Sequence, residues 1–146
     1  MIIFEKKGKV TPDDDKTNIA FDFEVPEGTK KLVIEYAYSP KELEDRQKAL
    51  ELIRRELENY LGNNNEKAEN YLPVKNLITL SLDENGKYRG ASHRQPNSQK
   101  IEISAENCTP GFTKGAPESG KWRIVLNVHC CVCDVDYEIK ISSEVQ

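Results

Sequence analysis

The sequence predicts an all-β fold, an antiparallel β-sandwich of about seven to eight strands with one long inserted helix. Three observations support this prediction: apolar and polar residues alternate over most of the chain, turn residues separate these stretches, and only one segment has helical spacing. Helices do not alternate with the strands, as a parallel sheet would require, so the antiparallel arrangement is expected. The 146 residues fit a single domain spanning 1–146.

The alternating stretches place apolar side chains at every second position, which is the period of a half-buried strand. In the clearest case Ile19, Phe21, Phe23 and Val25 lie on one face. Asn85-Gly86 is a strong signal for a tight turn between two strands. The remaining stretches are centred on residues 2–9, 32–38, 78–82, 101–103, 122–132 and 137–141.

One segment, SPKELEDRQKALELIRRELENYLG, has helical spacing instead. Ser39 is placed as an N-cap, Pro40 at the first helical position and Glu42 as the partner in a capping box. These signals predict a helix over residues 40–61, followed by a mobile loop over 62–72. The apolar stripe of this helix either covers a sheet or an open end of the sandwich, or it binds a partner, with a homo-oligomer through the helix as one form of that alternative.

Composition and charge narrow the classes of partner. The net charge is −4 and the basic residues are scattered, which argues against nucleic acid. The N-terminus lacks the apolar run of a signal peptide, and no apolar run approaches the roughly 18 residues of a membrane span. A cytoplasmic protein without membrane contacts is therefore expected, with its cysteines as reduced thiols.

The stretch HCCVCDVDY, residues 129–137, concentrates the side chains that bind soft metals. Alternation places Cys130 on the inward face and His129, Cys131 and Cys133 together on the outward face. Three ligands in a row on a straight strand point in parallel, whereas structural zinc requires tetrahedral convergence. The main expectation is therefore a plain strand without metal or cofactor, and a metal or thiol site at His129, Cys131 and Cys133 is the alternative.

Two loops are also candidates for a site. KYRGASHRQP, residues 87–96, is predicted as a loop in which Arg89, His93 and Arg94 either bind an anion or, in the case of Arg89, hold the loop by bonding carbonyls. TPGFTKGAPESGKW, residues 109–122, is predicted as a shaped crossover between strands. It leads to Trp122, which is expected in the core or at a sheet end.

Four stretches follow one another in a familiar order: FDFEVPEGTKKLVIEYAYSP, NLITLSLDENGKYRGASHR, IEISAENCTPGFTKGAPESGKWRIVLNVH and YEIKI. Together they resemble the N-terminal β-sandwich domain of polymerase-and-histidinol-phosphatase (PHP) metallohydrolases of the CehA/McbA type. The resemblance runs from Phe21 to Ile141, and its most specific parts are Arg89-Gly90 and the spacing of Pro110, Gly111 and Trp122. It implies a jelly-roll-like sandwich that accompanies a metal-dependent hydrolase.

No catalytic residue can be carried over from that family. Its catalytic domain opens with a His-x-His strand, and this sequence contains no His-x-His. The leading hypothesis is therefore a non-catalytic accessory or interaction module that docks to a PHP-type hydrolase domain or another protein. A small metal- or thiol-dependent protein is the alternative, and a carbohydrate-binding module is a weaker one that rests on fold analogy alone.

Overall fold

The structure is a computed structural model that describes residues 1–61, 67–93 and 96–145. Eight strands form two antiparallel four-stranded sheets. Sheet A has the order β1, β8, β3, β6, and sheet B has the order β2, β7, β4, β5. The strands are β1 (Ile2–Val10), β2 (Asn18–Val25), β3 (Lys31–Ser39), β4 (Leu77–Glu84), β5 (Lys87–Ser92), β6 (Ser98–Ser104), β7 (Gly120–Cys130) and β8 (Val135–Glu144).

These two sheets confirm the predicted all-β sandwich and its number of strands. The strand pairing is nested, because β1 pairs with β8, β2 with β7, β3 with β6 and β4 with β5. The first and last strands therefore lie side by side, and the N-terminal amino group of Met1 donates to the carbonyl of Ser143.

The core lies between the sheets and is built by the inward positions of both. The core lies there because apolar and polar residues alternate in the sequence and successive side chains of a strand point to opposite faces. Tyr36 and Tyr38 pack ring to ring from sheet A, and Phe23 packs beside Trp122 in sheet B. The largest fully buried side chains are Trp122, Tyr36, Leu32, Ile34, Ile78, Leu80, Leu82, Ile101, Ile103, Ile124, Leu126 and Ile139.

Among the described residues one α-helix, α1, is present, and it runs over Arg46–Leu61, so the predicted start at residue 40 is wrong. The segment after β3 is held in an extended form by tertiary pairing: Glu42 bridges to Lys75, and the Leu43 amide donates to the Val74 carbonyl. Asp45 takes the N-cap role instead, because its carboxylate accepts from the Lys48 amide at 3.1 Å. Pairing with residues 74–75, which are distant in sequence, therefore overrides the helix start that Ser39 and Pro40 predict locally.

Two predicted loops contain regular structure. Part of the loop predicted over 62–72 is a 3-10 helix at Ala68–Tyr71, whose Ala68 is buried, while residues 62–66 lie outside the described residues. The loop predicted over 87–96 is strand β5 as far as Ser92. Gly90 and Ala91 have too little side chain to show the apolar alternation of a strand, which is why the sequence pattern missed it.

Strand β4 is flanked by two β-bulges, one on each neighbour. Leu77 and Ile78 are opposite Cys130 and Val128, so His129 is the extra residue on β7. Leu82 and Asp83 are opposite Gly90 and Tyr88, so Arg89 is the extra residue on β5. A bulge redirects side chains and shifts the alternation beyond it, and both of these bulges fall on residues that the sequence marked as candidates for chemistry.

In the part of the chain that is described, no helix is both long enough and apolar enough to cross a membrane.

Candidate functional site

The first candidate site is the loop end, by which we mean the turn at residues 84–89 and the crossover at residues 109–120. Arg89 lies at its centre and is only 6% exposed. Because Arg89 is the extra residue of its bulge, its side chain leaves the strand pattern and reaches the crossover.

Every nitrogen of the Arg89 guanidinium has a partner within the chain. Nη1 donates to both carboxylate oxygens of Glu84 at 2.8 Å. Nε donates to the Thr113 carbonyl at 2.9 Å, and Nη2 donates to the Gly115 carbonyl. The guanidinium carbon also lies 5.8 Å from the ring centre of Trp122, within the range of a cation–π contact.

Glu84 extends this network to the strand that follows the crossover. Its second carboxylate oxygen accepts from the Glu118 amide at 2.8 Å. The Glu118 carbonyl in turn accepts from Nε1 of Trp122 at 2.8 Å, which satisfies the indole of this fully buried residue. A charge-assisted pair therefore holds the turn, the crossover and the core tryptophan as one unit.

The crossover also approaches β5 so closely that glycine is required at two positions. Pro110 and Gly111 form a tight turn closed by a hydrogen bond from the Phe112 amide to the Thr109 carbonyl. Gly111 has φ +102°, and a Cβ atom there would meet the Ala91 carbonyl oxygen. A Cβ atom at Gly90 would meet the backbone of Gly111 and Phe112.

The anion site predicted from Arg89, His93 and Arg94 is not assembled by the described residues. Arg89 is occupied by Glu84 and two carbonyls, and His93 is exposed at the end of β5. Arg94 lies outside the described residues. A guanidinium already neutralised by a carboxylate offers little to a second anion, so the geometry favours the holding role for Arg89.

Tyr88 stands next to this network and is the most exposed aromatic side chain among the described residues, at 68%. Its cross-strand partner Asp83 lines a depression of about 320 Å³ on the outer side of sheet B. Asn85 and Arg123 line the same depression. The loop end therefore presents an aromatic ring beside a polar depression on a rigid support.

The second candidate site is the end of β7 together with the turn after it, which carry His129, Cys130, Cys131 and Cys133. The bulge at His129 interrupts the alternation of inward and outward side chains along β7. Cys130 pairs with Leu77, so its side chain is on the outward side of the sheet, where it is half-buried. The prediction of an inward Cys130 is therefore wrong. Cys131 takes the inward place instead and belongs to the core, with 3% exposure.

The same bulge separates the three predicted metal ligands, so their expected shared face is also wrong. The His129 side chain lies beside Thr79, with Nε2 and Oγ1 2.8 Å apart. Cys131 donates from Sγ to the Cys133 carbonyl, and Cys133 accepts at Sγ from the side-chain amide of Asn76 at 3.3 Å. Among the described residues, no group of three or more His, Cys, Asp or Glu side chains could hold a metal ion.

The Thr79–His129 pair has the distance of a hydroxyl nucleophile and its base. Thr79 is only 2% exposed, however, so a substrate has no access to its hydroxyl. The pair is better described as a cross-strand hydrogen bond that satisfies a buried hydroxyl.

Asn76 is the residue at this end that sequence analysis missed. It is fully buried, and its side chain donates to the Pro40 carbonyl and accepts from the Val132 amide, at 2.9 and 2.8 Å. Its backbone amide also donates to the Lys41 carbonyl. One asparagine thus joins the segment after β3 to the cysteine turn, although nothing in its immediate sequence distinguishes it from a surface residue.

Burial raises the pKa of Cys131 to about 11, against a smaller lowering effect of the hydrogen bond with the Cys133 backbone. Burial also raises the pKa of Cys130. A thiolate is the reactive form of cysteine, so both shifts make these thiols poor nucleophiles and poor metal ligands at neutral pH.

Comparison with models of protein families and with curated proteins finds no match to this chain. The resemblance to the sandwich of PHP hydrolases therefore stays a prediction.

We expect Arg89→Met to lower the free energy of unfolding by about 3 kcal/mol, because it leaves the Glu84 carboxylate buried without its partner. Denaturant titration measures this change. The control is Arg123→Met, which breaks an ion pair with Asp22 that is about half exposed and should cost less than about 1 kcal/mol. The double variant Arg89→Met/Glu84→Gln should recover part of the loss, and equal losses for Arg89→Met and Arg123→Met would contradict the network.

The raised pKa of Cys131 predicts a loss of stability at alkaline pH. The unfolded chain releases this proton near pH 9 and the folded chain near pH 11, so the free energy of unfolding should fall as the pH rises through that window. Because Cys130 and Tyr137 also have raised pKa values, the measurement is the difference between wild type and Cys131→Ala. The variant should lose less stability between pH 8 and 11, and parallel curves would refute the assignment.

Proposed function

We propose that this chain is a non-catalytic β-sandwich module that docks to a PHP-type hydrolase domain or another protein through its loop end. The observation that carries the proposal is the network of Arg89, which fixes the loops around the exposed Tyr88. The resemblance in sequence supports the hydrolase as the first partner to test.

The loop end has the two properties that make a protein-binding surface efficient. First, its loops are already ordered by a buried ion pair, so binding does not have to immobilise them. Second, tyrosine is enriched among the residues that dominate binding energy, since its ring contributes a large contact area and its hydroxyl a hydrogen bond. The depression beside Asp83 offers a place for a side chain of the partner.

The side chains that suggested chemistry in the sequence serve the fold instead. Arg89, His129 and Cys133 all have hydrogen-bond partners within the chain, and Cys131 is buried. These contacts favour an interaction module over the thiol or metal alternative. The nested strand pairing also supports the jelly-roll part of the fold prediction.

The test is titration of the chain into the isolated catalytic domain of a CehA/McbA-type PHP hydrolase, followed by calorimetry. We expect a complex that Tyr88→Ala weakens at least about tenfold, equivalent to about 1.4 kcal/mol. Ile2→Ala is the matched control, because Ile2 is another exposed apolar side chain, 50% exposed, on sheet A.

One result would overturn the choice of a hydrolase as partner, and another would overturn the non-catalytic assignment. The absence of a complex at millimolar concentrations would remove the hydrolase as partner. Hydrolysis of a phosphoester by the purified chain, with activity that follows the protein peak and depends on added metal, would remove the non-catalytic assignment.

A further inference from the structure

The outer face of sheet A, meaning the side that points away from the core, carries a regular pattern of charge and size. Strand register places its side chains in rows across β1, β8, β3 and β6, in that order. Three of these rows are Glu5, Lys140, Glu35, Lys100; then Lys7, Glu138, Ala37, Ser98; and then Lys9, Asp136, Ser39.

This outer face is open to solvent. The side chains of Lys7, Lys9 and Asp136 are 80%, 56% and 77% exposed. Two adjoining depressions of about 670 and 550 Å³ lie on it and share Ala37, Ser98 and Glu138. In the second and third rows, β3 and β6 carry small side chains where β1 and β8 carry long ones, and this difference in size accompanies the depressions.

We propose that the outer face of sheet A binds a second copy of this chain, face to face, about a two-fold axis parallel to the strands and between β8 and β3. A two-fold interface must be complementary to itself, since the same patch contributes both sides. With this axis, β8 of one copy lies over β3 of the other, and β1 lies over β6.

The charges of the first row satisfy that requirement. Its signs alternate from β1 to β6, so reversing the row places every charge over its opposite. Lys140 lies over Glu35 of the second copy, and Glu5 lies over Lys100 of the second copy. Each pairing occurs twice by symmetry.

The side-chain sizes in the second and third rows also satisfy the requirement of self-complementarity. Glu138 lies over Ala37 of the second copy, Lys7 over Ser98, and Asp136 over Ser39. The long side chains of each copy therefore enter the depressions of the other, as interdigitation across a sheet-to-sheet gap of about 10 Å requires. In these three rows, charge in the first and size in the second and third match under the same two-fold operation.

The area of the outer face of sheet A determines how stable the dimer is expected to be. Four strands about 4.8 Å apart and about 30 Å long give a face of roughly 500–600 Å² per copy, near the lower limit for a specific interface. The dimer should therefore be weak, reversible and sensitive to salt. Nucleic acid or an anionic membrane fits this face poorly, because both require a surface of one sign. The inference goes beyond the proposed function and uses a different face from Tyr88.

The test exchanges one charge on each of two variants and mixes them. In Glu35→Lys alone, the introduced ammonium group faces Lys140 of the second copy, and Lys140→Glu alone sets two carboxylates opposite each other. Both variants should be monomers by sedimentation equilibrium up to about 1 mM, where the wild type dimerises. An equimolar mixture should dimerise again, because both contacts between unlike variants are attractive. Since positions 35 and 140 remain mismatched within each variant chain, the recovery reports contact between chains.

The control pair is Glu24→Lys and Lys121→Glu, which are cross-strand partners on the outer face of sheet B. These variants have the same net charges as the test pair, −2 and −6 instead of −4, and each should dimerise as the wild type does. Ala37→Arg should fill the depression and abolish the dimer, while Ala20→Arg on sheet B should not. Circular dichroism verifies that each variant is folded.

The proposal is overturned if the wild type is a monomer at about 1 mM in low salt, or if its dimer survives 1 M NaCl, where the Debye length is about 3 Å. It is also overturned if either test variant dimerises alone, which would place the interface elsewhere, for example on α1. These results are independent of binding to a hydrolase domain, so either proposal can fail without the other.

Discussion

The ion pair between Arg89 and Glu84 is the interaction on which the loop end depends. It links the turn after β4, the crossover before β7 and the buried Trp122 through side-chain contacts, in addition to the pairing of Glu84 with Trp122 between β4 and β7. Removing one member of such a pair costs more than the pair itself contributes, because a buried charge is left without a partner. The crossover has five glycines and prolines from Pro110 to Gly120, and backbone hydrogen bonds from Thr113 to Arg89 and from Ala91 to Gly111 also hold it against β5.

The sequence predicted the sandwich because alternation is a direct consequence of strand geometry. Ile19 to Val25 and Trp122 to Val128 have an apolar residue at every inward position, and these inward residues lie in the core or pack against it. The helix was also predicted, because its apolar residues recur at helical spacing. Ala49 and Ile53 are buried on one side of it, and Leu50 and Leu57 are half-buried on the same side. Its start was not, because the pairing of Glu42 with Lys75 joins residues that are distant in sequence.

The candidate sites were harder to predict because both depend on bulges. A bulge shifts alternation by one residue, so Cys131 rather than Cys130 enters the core, and Arg89 turns away from its strand. Neither bulge has a signature in the sequence beyond Arg89-Gly90. The burial of Asn76 could not be predicted from its local sequence either, because it depends on contacts with two distant segments, residues 40–41 and 132–133. The residue types of His129, Cys133 and Arg89 predicted metal or anion binding. In the structure, these side chains instead form hydrogen bonds within the chain that stabilise the fold.

The surfaces that we propose for function are the loop end around Tyr88 and the outer face of sheet A. They lie on different sheets, so one copy of the chain can use both, and a weak dimer would present two copies of Tyr88 to a partner. Two linked binding sites of modest strength increase the overall affinity for a partner that is itself dimeric.

Arg89 is fixed within the chain by Glu84 and two carbonyls and is therefore not available to a ligand. The most direct test is hydrogen exchange of the Arg89 Nε–H group, measured by NMR and compared with that of Arg123, which is about half exposed. We predict that the Arg89 group exchanges about a hundredfold more slowly than the Arg123 group and does not shift when inorganic phosphate is added. Equal exchange rates together with a phosphate-dependent shift would show that the guanidinium is free to bind anions and would contradict the account.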